Sequence, residues 1–409
     1  MSYDLSAPEA GASSVAPPPA PAGFTSTPRH RFQFMGNGSE YFGIWIANLL
    51  LSIITLGIYS AWAKVRNNRY IYGNTALGGD RFEYLATPMQ ILIGRIIAVI
   101  ALALYSYLAN ISIYAPLVML FLVSSIVPVL VVRNLRFDAR MTRFRHVCFD
   151  FQGSYVGAFR VVYLNNIIAG LMIAIPYFTF SVLFSFLIND SAGSLIGVLA
   201  GIAGAICAYG WTRKRFHHYL INGYRYGDKA FKGEVKEKQF IKIGLYSSLL
   251  TAALLAVSVA ILFLAASAIL GDFSALWSLD ADGWTYIYML LLVPCYILYM
   301  LIFVVMKSYM HVMTRNYVMS QMTVDNLSLE SQIPVGKYIA TVGMNLLIMI
   351  FTCGLAYPIA QVRLLKLSLG NTLVNGDLDN LVVRGAADHE GAAIADEMSN
   401  AFNIDLGVI

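Results

Sequence analysis

Two stretches of equal length decide how this chain folds: YFGIWIANLLLSIITLGIYSAWAKVR at residues 41–66 and YIATVGMNLLIMIFTCGLAYPIAQVR at residues 338–363. They align without a gap, and the alignment places Asn48 opposite Asn345. A further copy carries Asn165 at the same position, again inside an apolar run. Such self-similarity predicts an architecture of internal repeats.

The composition indicates a membrane protein. Of 409 residues, 58% are hydrophobic and only 12% are charged, whereas about a quarter of the residues in a soluble domain are charged. Apolar runs near the length of a transmembrane helix recur along the chain. Six predicted spans cover residues 88–111, 115–133, 160–187, 193–212, 241–270 and 285–307. We therefore expect an all-α integral membrane protein, a helical bundle occupying residues 29–385.

Both ends of the chain are expected to lie outside this bundle. Residues 1–28 are rich in Ala, Pro and Ser and have no apolar core, so they predict a disordered tail rather than a signal peptide. Residues 386–409 are polar and mildly acidic and predict a second tail.

The first and last units leave two alternatives open. Residues 44–63 and 339–361 are each long enough to cross the membrane once, but each contains a central break, at Gly57 and at Gly354. A break there allows two short helices that enter the membrane and return. We favour these re-entrant hairpins, because single crossings would export the basic Arg29–Arg31 segment without a signal.

Charge predicts the orientation. The net charge is +5, and the basic residues cluster at the ends of the units, whereas residues 271–284 contain three Asp and no Lys or Arg. The positive-inside rule places the basic ends and both termini in the cytoplasm. This clustering gives no case for nucleic-acid binding.

Short segments with alternating aromatic residues precede the units, at Phe32-x-Phe34, Phe82-x-Tyr84 and Phe149-x-Phe151. A period of two predicts β-strands. Because strands cannot remain unpaired in lipid, we expect them to form a small sheet on the cytoplasmic surface under the helices.

Three motifs of the first unit carry a family resemblance. They are Phe34-x-Gly36-x-Gly38-x-Glu40-Tyr41-Phe42-Gly43-Ile44-Trp45, Thr55-Leu-Gly-Ile-Tyr59-Ser-Ala-Trp62-Ala-Lys64-Val-Arg66 and Arg69-Tyr70-x-x-Gly73-Asn74-Thr75. Together they resemble the YjgN-type family of bacterial inner-membrane proteins, over roughly residues 30–380. The resemblance implies a multi-pass inner-membrane location and no established activity, so no catalytic residues carry over.

The repeated asparagines are the first candidate site. A buried amide in a membrane either bonds a neighbouring helix or lines a polar site. Asn48, Asn165 and Asn345, together with Asn166, are therefore candidates for helix contacts or for a central binding site. Ala98 and Ser247 occupy the same register in the other two units, so a ring of amides would be incomplete.

Basic residues are the second candidate. Arg95 and Arg160 lie near helix starts inside spans, where they snorkel to the surface or bind an anionic headgroup. Arg66, Arg69 and Arg363 end their units, where they set topology, cap helices or contact lipid headgroups.

Nothing in the sequence predicts catalysis. There is no HExxH, GxSxG or Walker motif, the four cysteines are scattered, and we expect neither a metal nor a cofactor. Binding or transport of a small molecule or lipid is the predicted role, and a non-catalytic membrane scaffold or envelope-assembly partner is the alternative. Membrane lipids are the expected partners, and the sequence does not indicate an oligomeric state.

Overall fold

The computed structural model describes residues 28–111, 114–270, 281–379, 381 and 383. The predicted tails lie outside these residues except for Pro28, and so does most of the acidic segment 271–284. Within the described part, pairs of helices alternate with pairs of strands. The helices are α1 Gly38–Ile54, α2 Ser60–Gly73, α3 Pro88–Ile111, α4 Ala115–Arg140, α5 Tyr155–Leu187, α6 Asp190–Gly223, α7 Glu237–Leu270, α8 Ala281–Ser320, α9 Val335–Phe351 and α10 Tyr357–Gly370.

The strands close into a barrel. They are β1 Arg29–Phe34, β2 Thr75–Leu77, β3 Asp80–Tyr84, β4 Thr142–Phe144, β5 Val147–Phe151, β6 Tyr224–Tyr226, β7 Lys229–Lys232, β8 Thr323–Val324, β9 Leu327–Ser331 and β10 Thr372–Asn375. All neighbours pair antiparallel, and β1 pairs with both β2 and β10. The expectation of an all-α fold with a small sheet is therefore wrong. Closure leaves no strand edge unpaired, which explains why such short strands are stable.

The barrel is packed with side chains. Phe82 stacks on Phe144 with 4.6 Å between ring centroids, and Phe149 lies 4.9 Å from Tyr226. Leu378, which follows β10, is buried in the same cluster. The ring of strands is thus a hydrophobic core and not a pore.

Tight turns connect the strands. Gly78 and Gly79 have φ of 62° and 95°, and Arg145 and His146 have φ of 45° and 64°. Two consecutive left-handed residues are characteristic of the hairpin turn that matches strand twist.

The helices form a closed circuit above the barrel. Each packs mainly on the helices before and after it in the chain, and α10 packs on α1. Six helices, α3 to α8, are long and apolar enough to cross a membrane, as predicted. The structure extends α4, α6 and α8 by about two to four turns beyond the predicted spans on the barrel side.

The first and last units are helical hairpins. In each, a 17-residue helix and a 14-residue helix are joined by a turn with a left-handed glycine, Gly57 (φ 90°) or Gly354 (φ 84°). Tyr70 near the end of α2 stacks on Tyr41 near the start of α1, so the two helices run antiparallel. The single-crossing alternative is therefore wrong for this unit, and the chain returns to the barrel side.

Candidate functional site

Two of the repeated asparagines bond within their own hairpins. Asn48 Nδ2 in α1 donates to Asn67 Oδ1 in α2 at 2.8 Å, and Asn345 Nδ2 in α9 donates to the Ala360 carbonyl in α10 at 3.1 Å. Both residues are nearly inaccessible to solvent. The Oδ1 atoms of Asn48 and Asn345 are buried without a hydrogen-bond partner.

The other two asparagines occupy different environments. Asn165 is buried in α5, directly after a π-helical turn at Arg160–Leu164. Asn166 is exposed, and its Nδ2 donates to the Val162 carbonyl of the same helix. Within the described chain, no hydrogen bond joins two of the four asparagines. A polar site shared by the four asparagines stays a prediction, and no contact between their side chains supports it.

The basic residues at the helix ends differ in their contacts. Arg69 in α2 donates from Nη2 to the Ala86 carbonyl at 3.1 Å, and Arg136 in α4 donates from Nε to the Phe151 carbonyl at the same distance. Each of these arginines therefore links its unit to the start of the next. Arg66 and Arg363 are exposed.

Residues other than arginine also link one unit to the next. Asn316 in α8 donates to the Ile333 carbonyl at 2.9 Å, and Tyr41 in α1 donates its hydroxyl to Gln361 in α10 at 3.2 Å. The second contact joins the last unit to the first. These links hold the circuit of helices together above the barrel.

Arg95 is the predicted basic residue with the most unusual surroundings. It lies inside the span of α3 and is partly buried. Its Nη1 donates to the hydroxyl of Ser60, the first residue of α2. Among the described residues, no Asp or Glu pairs with Arg95. By contrast, Arg160 is exposed at the π-helical turn.

Sequence reasoning missed Ser60 as a partner of Arg95. The two residues are 35 positions apart, and no local pattern in the sequence relates them. It also missed Arg145, which lies in the β4–β5 turn and donates from Nη1 to the Leu378 carbonyl at 2.6 Å. Burial alone would lower the pKa of Arg145, but hydrogen bonds to Asp80 and Asp379 raise it overall.

The long helices expose apolar side chains on opposite faces. In α7, Val257 is 57% exposed and Val259 is 64% exposed, although residues two apart lie about 200° apart around a helix. In α3, Leu102 and Leu104 show the same pattern. A helix in a closed circuit has one face toward the surroundings and one toward the interior. On α3 and α7, apolar side chains are therefore exposed on both of these faces.

Metal ligands are not grouped in the described ranges. No cluster of three or more His, Cys, Asp or Glu side chains there has the geometry to hold a metal ion.

Comparison with known proteins places the chain in a family. The model of a family described as bacterial protein of unknown function (DUF898) matches residues 29–401. The inner membrane protein YjgN of Salmonella typhimurium is 29% identical over 368 residues, which cover 86% of this chain and 90% of that protein. The inner membrane protein YjgN of Escherichia coli K12 is 28% identical, with 87% and 90% covered. No solved structure matches the chain.

These matches agree with the six membrane-length helices. The protein is a multi-pass protein of the bacterial inner membrane. Because the family model covers most of the sequence, the chain belongs to the DUF898 family of bacterial proteins of unknown function.

Proposed function

We propose that this protein binds lipid molecules inside its circuit of helices. The observation that carries the proposal is the apolar character of both faces of the long helices, exemplified by Val257 and Val259. An interior lined by Val, Leu, Ile and Phe offers no hydrogen bonds to water or to a polar solute. Hydrocarbon chains match such a surface.

The barrel supports this proposal because it lies at one end of the circuit of helices and is closed. Its interior is filled by aromatic and aliphatic side chains, among them Phe82, Phe144 and Leu378. An aqueous path through the strands is therefore not available, and the proposed ligand would enter and leave through the bilayer. Movement of the lipid between leaflets would be a further step of the same function.

The test is native mass spectrometry of the detergent-purified full-length protein, with identification of the retained lipids. Val257→Asn and Val259→Asn are matched variants, because each places an amide on one of two opposite faces of α7. We expect wild type to retain lipid and only one of the two variants, the one facing the interior, to lose it. Equal retention by all three proteins, or a lipid-free wild type, would contradict the proposal and favour a scaffold role.

A further inference from the structure

On one side of the circuit the helices are short, so the wall reaches less far from the barrel there. The two short hairpins, α1–α2 and α9–α10, are neighbours because α10 packs on α1. Their first helices have 17 residues, or about 26 Å, whereas α6 and α7 have 34 residues, or about 51 Å. We call these two hairpins the low side. Above their tips, no described helix completes the wall, and we call this gap the opening.

The tips of the low side are strongly apolar. Leu56 is 94% exposed, Phe351 is 85% exposed and Ile54 is 75% exposed. Contact of these side chains with water would cost free energy in proportion to their area. Hydrocarbon is therefore the natural surroundings of both tips, which places the opening beside lipid acyl chains.

Arg95 lies at one edge of this opening. It extends from the full-length helix α3 to Ser60 at the tip end of α2. At the corresponding place between the two short hairpins, Trp45 of α1 faces Tyr357 of α10 with 6.2 Å between ring centroids. The contact between the two short hairpins is therefore aromatic, whereas the contact between α2 and α3 includes a cation.

Within the described ranges, no carboxylate balances the charge of Arg95. Ionisable residues inside membrane spans are costly and usually have a partner of opposite charge. Arg95 bonds instead to a neutral hydroxyl, and no described carboxylate pairs with it. The start of α2 also lacks a side-chain cap and an acidic residue in its first turn, so it adds positive rather than negative potential.

We infer that Arg95 binds the phosphate of an anionic phospholipid that enters the circuit over the low side. This inference rests on the proposed function and names the lipid class and the entry point. The guanidinium donates paired hydrogen bonds to phosphate oxygens, which its planar geometry suits. The acyl chains lie against the tips near Leu56. Ser60 holds the Arg95 side chain toward the opening.

The test titrates full-length protein with phosphatidylglycerol or phosphatidylcholine of identical acyl chains and counts bound lipids by native mass spectrometry. Both lipids carry a phosphate, but the choline cation of phosphatidylcholine is repelled by Arg95 and by the start of α2. We therefore expect wild type to bind one phosphatidylglycerol about ten-fold more tightly than phosphatidylcholine. Arg95→Gln should abolish this preference, and Arg95→Lys should keep part of it. Lys242→Gln is the control, because it removes an exposed cation from the span of α7 and should leave the preference unchanged.

Each other result overturns the inference in a distinguishable way. A preference for phosphatidylglycerol that survives in Arg95→Gln, or that is lost equally in Lys242→Gln, removes Arg95 as the site. Displacement of phosphatidylglycerol by inorganic phosphate would identify a soluble anion as the ligand. Equal binding of both lipids by wild type would contradict the headgroup site at Arg95 but not the proposed binding of lipids. Binding of neither lipid would contradict the headgroup site and the proposed function together. Thermal unfolding of each variant verifies that it is folded.

Discussion

Asn48 and Asn67 form a hydrogen bond between two helices in a region that offers few other partners. Asn48→Leu would leave the Asn67 Oδ1 atom without its donor. We expect the free energy of unfolding to fall by about 1–2 kcal/mol. The variant Asn48→Leu/Asn67→Leu should recover part of this loss, because no buried acceptor remains unpaired.

Asn166→Leu provides the control for this prediction. Asn166 is exposed, and the hydrogen bond that the described residues give its side chain lies within its own helix, so its replacement should leave stability nearly unchanged. The measurement is thermal unfolding of the purified variants in detergent. Equal effects of Asn48→Leu and Asn166→Leu would show that the hydrogen bond between α1 and α2 contributes no stability.

At the scale of elements, the α5–α6 pair depends on a row of glycines in α6. Added Cβ atoms would lie 2.7 Å from Ser181 Cβ at Gly197 and 2.3 Å from the Met172 carbonyl oxygen at Gly204. Small residues at this spacing allow membrane helices to approach closely. The close approach explains why α5 and α6 make the most extensive helix contact of the described chain.

Gly204→Ala should therefore destabilise the pair. The new methyl group would collide with the backbone at Met172, which cannot move as a flexible side chain can, and we expect a loss of about 1–3 kcal/mol. Gly170→Ala in α5 is the control, because nothing lies within 4 Å of the added atom. Thermal unfolding or limited proteolysis of the α5–α6 loop measures both. A Gly204→Ala protein as stable as Gly170→Ala would mean that the helices are not in close contact.

The sequence predicts an element well when the element is long and its contacts are local. The six spans were predicted correctly because each carries its own apolar signal. Aromatic alternation also located β1, β3 and β5. The strand β2 has only three residues and follows a helix directly, so it shows no period. Its neighbour β1 closes the barrel with β10 from the other end of the chain, and no local pattern encodes that pairing.

The candidate site shows the same limit. Arg95 stood out because a charge in an apolar run is visible in the sequence. Its contact with Ser60, and its position beside the low side, depend on the order of helices around the barrel. Asn48 was visible as a repeated residue, but its partner Asn67 was not. The interpretation of the five units as internal sequence repeats stays a prediction, although the first and last hairpins have equal helix lengths.

At the scale of the whole molecule, the pairing of β1 with β10 turns an open series of hairpins into a closed circuit. His30 faces Val374 across this pair. Facing residues of antiparallel strands have Cα atoms about 4.5–5.5 Å apart, which suits a disulfide. In a background without Cys148, Cys207, Cys295 and Cys353, the variant His30→Cys/Val374→Cys should form an intramolecular disulfide under mild oxidation.

The control variant is His30→Cys/Ala230→Cys. Ala230 lies in β7, which is separated from β1 by β8, β9 and β10, so no cross-link should form. Peptide mapping by mass spectrometry identifies the linked fragments. Cross-linked dimers would mean that the terminal strands pair between molecules, and an absence of cross-links would mean that the circuit is open. The cross-linked monomer should still retain lipid, because entry over the low side does not require the barrel to open.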